Sequence, residues 1–218
     1  MNMPDAMIIF DLDGTLWDSA ENVAASWNEV INKTFPERAD LTAADIRAVM
    51  GKTMDEIAET LMPDKEQGIR KKIFDECYAY ENEYIEVHGG ILFSGVRQTL
   101  DDLLEKGYKM SIVSNCQAGY INAFLVSMDM KKYFCDIEEW GRSGLLKAEN
   151  IRLVMERNGF KKAVYIGDTA GDEAASKKAG VPFIYAAYGF GSVKAPAGEI
   201  QEFSDLPKEL EKVLNFKR

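Results

Sequence analysis

The sequence predicts an α/β fold, a doubly wound parallel five-stranded core sheet carrying an inserted all-helical domain. Three observations predict it. From residue 91 onward, short apolar runs alternate with stretches of helical periodicity. Between residues 18 and 90 that rhythm stops and only helical periods occur. Polar motifs then follow the carboxyl ends of several apolar runs, where open α/β sheets place their functional groups.

The first strand is the apolar run Met7 to Phe10. Val23, Trp27, Val30 and Ile31 next give a helix, Thr53 with Glu56 a capping-box start for another, and Phe74 through Val87 a longer one. These form the insert, residues 18–90, with Gly89, Gly90 and Gly95 near its return, while residues 1–17 and 91–218 form the core. Val96, Leu100, Leu103 and Leu104 have helical spacing up to Gly107, and Met110 to Val113 reads as the second strand. Ile121, Leu125 and Met128 predict a helix, Phe134 to Ile137 a strand, and Ile151, Val154 and Met155 a helix ending near Gly159. Ala163 to Ile166, the helix Asp172 to Ala179 closed by Gly180, and Phe183 to Ala186 complete five strands. Gly189, Gly191, Ala195, Pro196 and Gly198 predict a surface loop, and Pro207 to Phe216 a last amphipathic helix.

A chain of 218 residues with 46% hydrophobic content can bury a full core. Its net charge of −10 opposes nonspecific attraction to nucleic acid or anionic lipid, so any anionic substrate must be held by local positive groups. Residues 18–90 hold 16 acids against 8 bases, which marks a compositional boundary at each end of the insert. Cys77, Cys116 and Cys135 are widely spaced and odd in number, so they encode neither a disulfide framework nor a zinc cluster. No apolar stretch reaches the eighteen or so residues that cross a bilayer, and the amino terminus lacks a basic region followed by an apolar one. A cytoplasmic protein with no membrane and no nucleic-acid partner is expected.

Asp11-Leu12-Asp13-Gly14-Thr15 directly follows the first strand and sets two carboxylates two positions apart. Two unit charges about 4 Å apart repel by roughly 4 kcal/mol at an effective dielectric near 20. A divalent cation relieves that, and hard carboxylate oxygens suit Mg²⁺. If Asp11 is a nucleophile toward phosphorus, Asp13 could protonate the leaving oxygen and then act as base for water. Gly14 permits the tight backbone path and Thr15 can tie the loop down. Ser114 and Asn115, where the second strand meets a helix start, suit a phosphate oxygen. Lys147 could neutralise charge on a transferring phosphoryl group. Gly167-Asp168-Thr169-Ala170-Gly171-Asp172 ends the fourth strand, where Asp168 would complete a metal site.

In this order the motifs resemble the haloacid dehalogenase superfamily, specifically its phosphatases with a helical cap, such as the phosphoglycolate phosphatase-like group. Asp11-x-Asp13-Gly14-Thr15 is similar to the first motif, Ser114 to the second, Lys147 to the third and Gly167-Asp168-x-x-x-Asp172 to the fourth. The resemblance implies a Rossmann-like core and a small phosphorylated metabolite as substrate. It also implies an aspartyl-phosphate on Asp11, acid–base work by Asp13, phosphate contacts from Gly14, Thr15, Ser114, Asn115 and Lys147, and Mg²⁺ held by Asp11, Asp168 and the main-chain carbonyl of Asp13. Asp172 would orient Lys147 or metal-bound water. Cap residues would set specificity, with Lys52 the candidate for a second anionic or polar group. One departure is Ala148, where proline often follows the third-motif lysine.

Other chemistries do not match. Gly51-Lys52-Thr53 imitates the end of a P-loop, but its first glycine would fall at Ile46, and Gly189-x-Gly191 lacks the third dinucleotide-binding glycine at Lys194. No cysteine is followed six residues later by arginine, and His88 is the single histidine. Two alternatives to hydrolysis are weighed. A β-phosphoglucomutase-type isomerase would carry a cap-hinge histidine at the position of Val23, and a noncatalytic phosphate-ester binder has no need of both Asp11 and Asp13.

Overall fold

In the computed structural model, which describes residues 5–215, the strand Ala6–Phe10 (β1) lies in the middle of a six-stranded sheet. The chain leaves it through Trp17–Asp18 (β2) and forms four helices, Ala20–Thr34 (α1), Ala43–Arg47 (α2), Met54–Leu61 (α3) and Gln67–His88 (α4). It returns through Ile91–Leu92 (β3), which pairs antiparallel with β2. Val96–Glu105 (α5), Met110–Ser114 (β4), Tyr120–Ser127 (α6), Phe134–Glu139 (β5), Trp140–Ser143 (α7) and Lys147–Arg157 (α8) follow. Lys162–Gly167 (β6), Ala170–Ala179 (α9), Phe183–Ala186 (β7), Gly198–Ile200 (β8) and Leu206–Asn215 (α10) complete the chain, and the sheet order is β5-β4-β1-β6-β7-β8. Phe216, the last residue expected in the final helix, lies outside the described residues.

Each neighbouring pair in the large sheet is parallel. Parallel strands are covered on both faces, which is why β1 is a continuous apolar run rather than an alternating one. Its side chains divide by parity: Ile8 and Phe10 pack with Leu100, Phe124 and Leu206, whereas Met7 and Ile9 pack with Ile151 and Val154. Helices therefore cover the sheet on both sides, as the alternation predicted. Full burial of a residue such as Phe10 or Ile9 contributes about 1.5–3 kcal/mol.

The expected five strands become six. Gly198–Ile200 pairs with β7, with Ile184 opposite Gly198 and Ala186 opposite Ile200. A three-residue strand opening on glycine, after an Ala-Pro-Ala stretch, carries too little period to be seen in sequence. The part of the expected surface loop around Gly189 and Gly191 also turns inward, as described below.

Between β2 and β3 the helices build their own apolar centre, with Trp27 of α1 edge-on to Phe74 of α4 at 5.4 Å between ring centroids. Thr53 donates its backbone N–H to Glu56 at 2.9 Å, the bond expected of the capping box that starts α3. A second capping box, Thr42 with Asp45, starts α2, a five-residue helix too short for its periodicity to register. No described helix is long and apolar enough to cross a membrane.

Candidate active site

The parallel register of β1 and β6 sets Phe10 opposite Ile166, so the residues that follow each strand emerge side by side at one sheet edge. Asp11 donates its backbone N–H to Ile166 O at 2.8 Å, and Gly14 donates to Trp17 O at 2.9 Å, closing a tight turn. Gly14 has φ of 77°, a left-handed conformation that favours glycine, and a Cβ there would collide with the Asp168 carboxylate. Its place in the loop is thus fixed by close approach to the fourth motif. The Thr15 hydroxyl is buried with no partner.

Asp11, Asp168 and Asp172 gather so that one carboxylate oxygen from each lies within 4.8 Å of the others, all buried. Lys147, at the first turn of α8, reaches into this group with its Nζ 3.0 Å from Asp11 Oδ1 and 2.6 Å from Asp172 Oδ1. Burial works against its ammonium, but Asp11 and Asp172 outweigh that and hold its pKa above the usual lysine range. Three carboxylates against one ammonium leave an excess of negative charge in a site shielded from water. Burial pushes Asp11 up to about 7, with Lys147 opposing and Asp172 adding to the rise, and burial with the neighbouring acids pushes Asp168 up to about 8.

That excess fits a divalent cation. Asp168 Oδ2 accepts backbone N–H bonds from Phe190 at 2.7 Å and Gly191 at 3.3 Å, whereas Oδ1 is buried without a partner. An anionic oxygen left bare in the interior is costly unless a cation meets it, and an all-oxygen donor set is what Mg²⁺ takes. Asp172, expected as a helper, is itself part of the acidic cluster. Its other oxygen caps α9, accepting from Thr169 N at 3.0 Å and Thr169 Oγ1 at 2.6 Å. The Asp13 carboxylate, grouped in sequence with the metal residues, stands outside this cluster.

Asp13 has its own environment. Ser19 Oγ donates to its Oδ1 at 2.8 Å and Tyr120 OH donates to the same oxygen at 3.0 Å, while the two hydroxyls lie 2.7 Å apart. Burial pushes the carboxyl up to about 6, against these bonds, which favour the ionised form. The two acids of the first motif are therefore held differently, Asp11 beside an ammonium and Asp13 beside two hydroxyls.

Ser114 ends β4, buried, and Asn115 follows it with Nδ2 donating to Gly51 O at 3.0 Å and Oδ1 buried without a partner. Asn115 thereby ties the core to the loop after α2. Lys52 in that loop donates to Thr60 Oγ1 at 3.2 Å. Asp13, Ser114, Asn115, Lys52 and Glu81 line one cleft, with a cavity volume of about 40 Å³, between the sheet edge and the helical insert.

Several residues of the site carry no signal in the sequence. Ser19 and Tyr120 are separated from Asp13 by 6 and 107 positions and belong to no motif. Gly189-Phe190-Gly191 stood out only as a glycine pair, yet its backbone N–H groups serve Asp168, and a Cβ at Gly189 would collide with the Asp168 side chain. Glu81 carries no motif, yet it is buried, its Oε2 accepts from Trp27 Nε1 at 2.6 Å, and burial pushes it up to about 8.

The sequence profile of haloacid dehalogenase-like hydrolases matches residues 8–186, from β1 through β7. The chain belongs to that family. Among curated proteins this haloacid dehalogenase-like hydrolase is 29% identical to a phosphoglycolate phosphatase of Salmonella typhimurium, over 84% of this chain and 81% of that protein. It is 28% identical to the phosphoglycolate phosphatase of Escherichia coli K12, with the same coverage. Among solved structures it superposes with a TM-score of 0.81 on a protein from Haemophilus somnus named as a predicted phosphoglycolate phosphatase, at 20% identity over 95% of this chain and 99% of that one. CbbY from Rhodobacter sphaeroides, solved in complex with phosphate, gives 0.75 at 17% identity over 92% and 95%. At those identities the two structures show the shared fold.

Proposed function

We propose that the protein is a Mg²⁺-dependent phosphomonoesterase acting on small phosphorylated metabolites through an aspartyl-phosphate. The observation that carries this is the separation of the two acids of one loop: Asp11 joined to Lys147 and the acidic cluster, Asp13 held apart by Ser19 and Tyr120. Environments that differ for neighbouring carboxyls assign different roles to them.

In the first half-reaction an Asp11 oxygen attacks phosphorus, the bond from phosphorus to the ester oxygen breaks, and Asp13 gives that oxygen its proton. In the second, Asp13 takes a proton from water as the water oxygen attacks phosphorus, the bond to Asp11 breaks, and inorganic phosphate leaves. Lys147, with the hydroxyls of Thr15 and Ser114, the backbone at Gly14 and the Asn115 amide, would hold the phosphoryl oxygens. Asp11 and Asp168, with the Asp13 main-chain carbonyl and Asp172 nearby, would hold Mg²⁺, which supplies charge neutralisation when bound. Asp172 also fixes Lys147.

We take residues 18–90 as the cap and residues 1–17 and 91–218 as the catalytic core. The cap would limit access to bulk water and large substrates, and Lys52, which lines the cleft, would meet the leaving group. The names of the curated relatives support phosphatase chemistry, and the absence of a membrane-crossing helix among the described residues is consistent with work in the cytoplasm. Val23, where the mutases carry histidine, is an apolar residue lining the cleft, which favours water over a sugar hydroxyl as acceptor.

The test is phosphate release across a metabolite panel with Mg²⁺ and with chelator, repeated with Asp11→Asn. Release that needs Mg²⁺ and vanishes in the variant is expected. Retained Mg²⁺-dependent release in Asp11→Asn would overturn the assignment.

A further inference from the structure

Once phosphorus sits against Asp11, the ester oxygen must reach Asp13, so the alcohol part of the substrate extends from Asp13 into the cleft. The composition of that cleft is uneven. Its cap wall is apolar, built from Val23, Trp27, Ile46, Val49, Met54 and Ile57. Of its charged lining residues, Asp13 and Glu81 are acids and Lys52 is the one cation among the described residues. Lys52 turns its ammonium to Thr60 Oγ1 in an exposed position.

Glu81 lies deeper. It comes from the middle of α4, is 3% exposed, and is fixed by Trp27 Nε1, itself part of the apolar wall. Its side-chain partners are neutral, the Trp27 indole and the Gln117 amide, and Asp13 is close enough to add like charge. A buried carboxyl with two neutral donors still retains acceptor capacity that a ligand O–H or N–H can fill. A ligand carboxylate would instead lose its water against an apolar wall whose described charged lining offers no cation but the outward-turned Lys52.

We propose that Glu81 is a specificity-determining residue. It selects phosphate monoesters whose alcohol part has an apolar body bearing an O–H or N–H donor, and it disfavours carboxylate-bearing esters such as phosphoglycolate. The inference rests on the phosphatase reading above and narrows it, separating this chain from the substrate for which its curated relatives are named.

A matched series of probes tests it: phenyl phosphate, 3-hydroxyphenyl phosphate and 3-carboxyphenyl phosphate, together with 2-phosphoglycolate, assayed by phosphate release with Mg²⁺. The full chain should give kcat/KM for the hydroxyl probe at least tenfold above both carboxylates, because a site that accepts a hydrogen bond rejects partners that leave it unpaired. Glu81→Gln keeps the shape and an acceptor for Trp27 but puts an amide N–H donor where the carboxyl offered an acceptor, and it should narrow the hydroxyl-to-carboxylate ratio at least tenfold. A merely structural Glu81 would change all four rates together and leave the ratio alone, which would overturn the proposal. Preference for a carboxylate probe in the unmodified protein would overturn it even if the variant fails to fold. Inertness toward all four probes would sink the phosphatase reading and this inference with it, whereas Asp11-dependent turnover with a carboxylate preference sinks the inference alone.

Discussion

Tyr120 donates its hydroxyl to Asp13 Oδ1 at 3.0 Å, joining the start of α6 to the loop after β1 across 107 positions of sequence. Ser19, just past β2 where the chain enters the insert, meets the same oxygen at 2.8 Å. The proposed proton donor is thus gripped by one residue of the sheet edge and one at the insert's entrance.

Removing the first grip has a signed consequence. The Tyr120 bond favours the ionised Asp13, so Tyr120→Phe raises a carboxyl that already stands at about 6 against an ordinary 3.8. The alkaline limb of the kcat/KM profile, which reports loss of the donor proton, is expected to move to higher pH, with kcat lowered roughly tenfold by the less well-aligned acid. A pH–rate profile measures both. An unmoved limb would mean that Tyr120 does not act on Asp13.

Lys147→Ala should lower kcat by about 10²- to 10³-fold, the loss of one preorganised electrostatic donor. The same change strips the partner from Asp11 and Asp172 in a buried site, where breaking a pair costs about 3–5 kcal/mol. Addition of Mg²⁺ should recover stability without recovering rate. A rate loss below threefold would return Lys147 to a structural role.

Stability of the metal-free protein should fall as pH rises. Asp11, Asp13 and Asp168 have folded values of about 7, 6 and 8 against an ordinary 3.8, and Glu81 about 8 against 4.5. Between pH of about 4 and 8 the unfolded chain has given up protons that the native state keeps, so the stability present at low pH is lost progressively through that window. Thermal melts in chelator should show Tm decreasing from pH 5 to pH 8. Mg²⁺ should restore Tm most at pH 8, where the carboxylates it would meet are ionised. A Tm that rises over this range, or is blind to Mg²⁺, would contradict the cation site.

Gly189→Ala places a Cβ against the Asp168 side chain and the Gly14 carbonyl. We expect the Mg²⁺ concentration for half-maximal activity to rise at least tenfold as Asp168 is displaced, and a Mg²⁺ titration of phosphate release reads it. Gly180→Ala is the comparison: its Cβ meets no atom within 4 Å, although its φ of 84° still carries strain. Equal effects at the two positions would mean that crowding of Asp168 is not responsible.

Periodicity disclosed most of the architecture, because buried parallel strands and amphipathic helices each write their burial into consecutive residues. β1, β4, β6 and β7 fall within a residue or two of the expected runs. α4 begins at Gln67 rather than Phe74 because its first turns are mostly exposed and leave no apolar stripe. β8, three residues long, gains its strand character from pairing with β7 and not from its own composition.

The sequence by itself determined which residue types stand at the ends of the strands. Asp11, Asp13, Ser114, Lys147, Asp168 and Asp172 were legible since each follows or opens an element whose period is local. Only the tertiary structure decided their partnerships. Lys147 meets Asp11 across 136 positions, Ser19 and Tyr120 converge on Asp13, Gly189-Phe190-Gly191 folds onto Asp168, and Glu81 turns from an acidic helix into an apolar wall. Burial is a property of the assembled molecule. A carboxylate's solvation, and with it its pKa and its choice of ligand, is set by side chains that no local pattern places beside it.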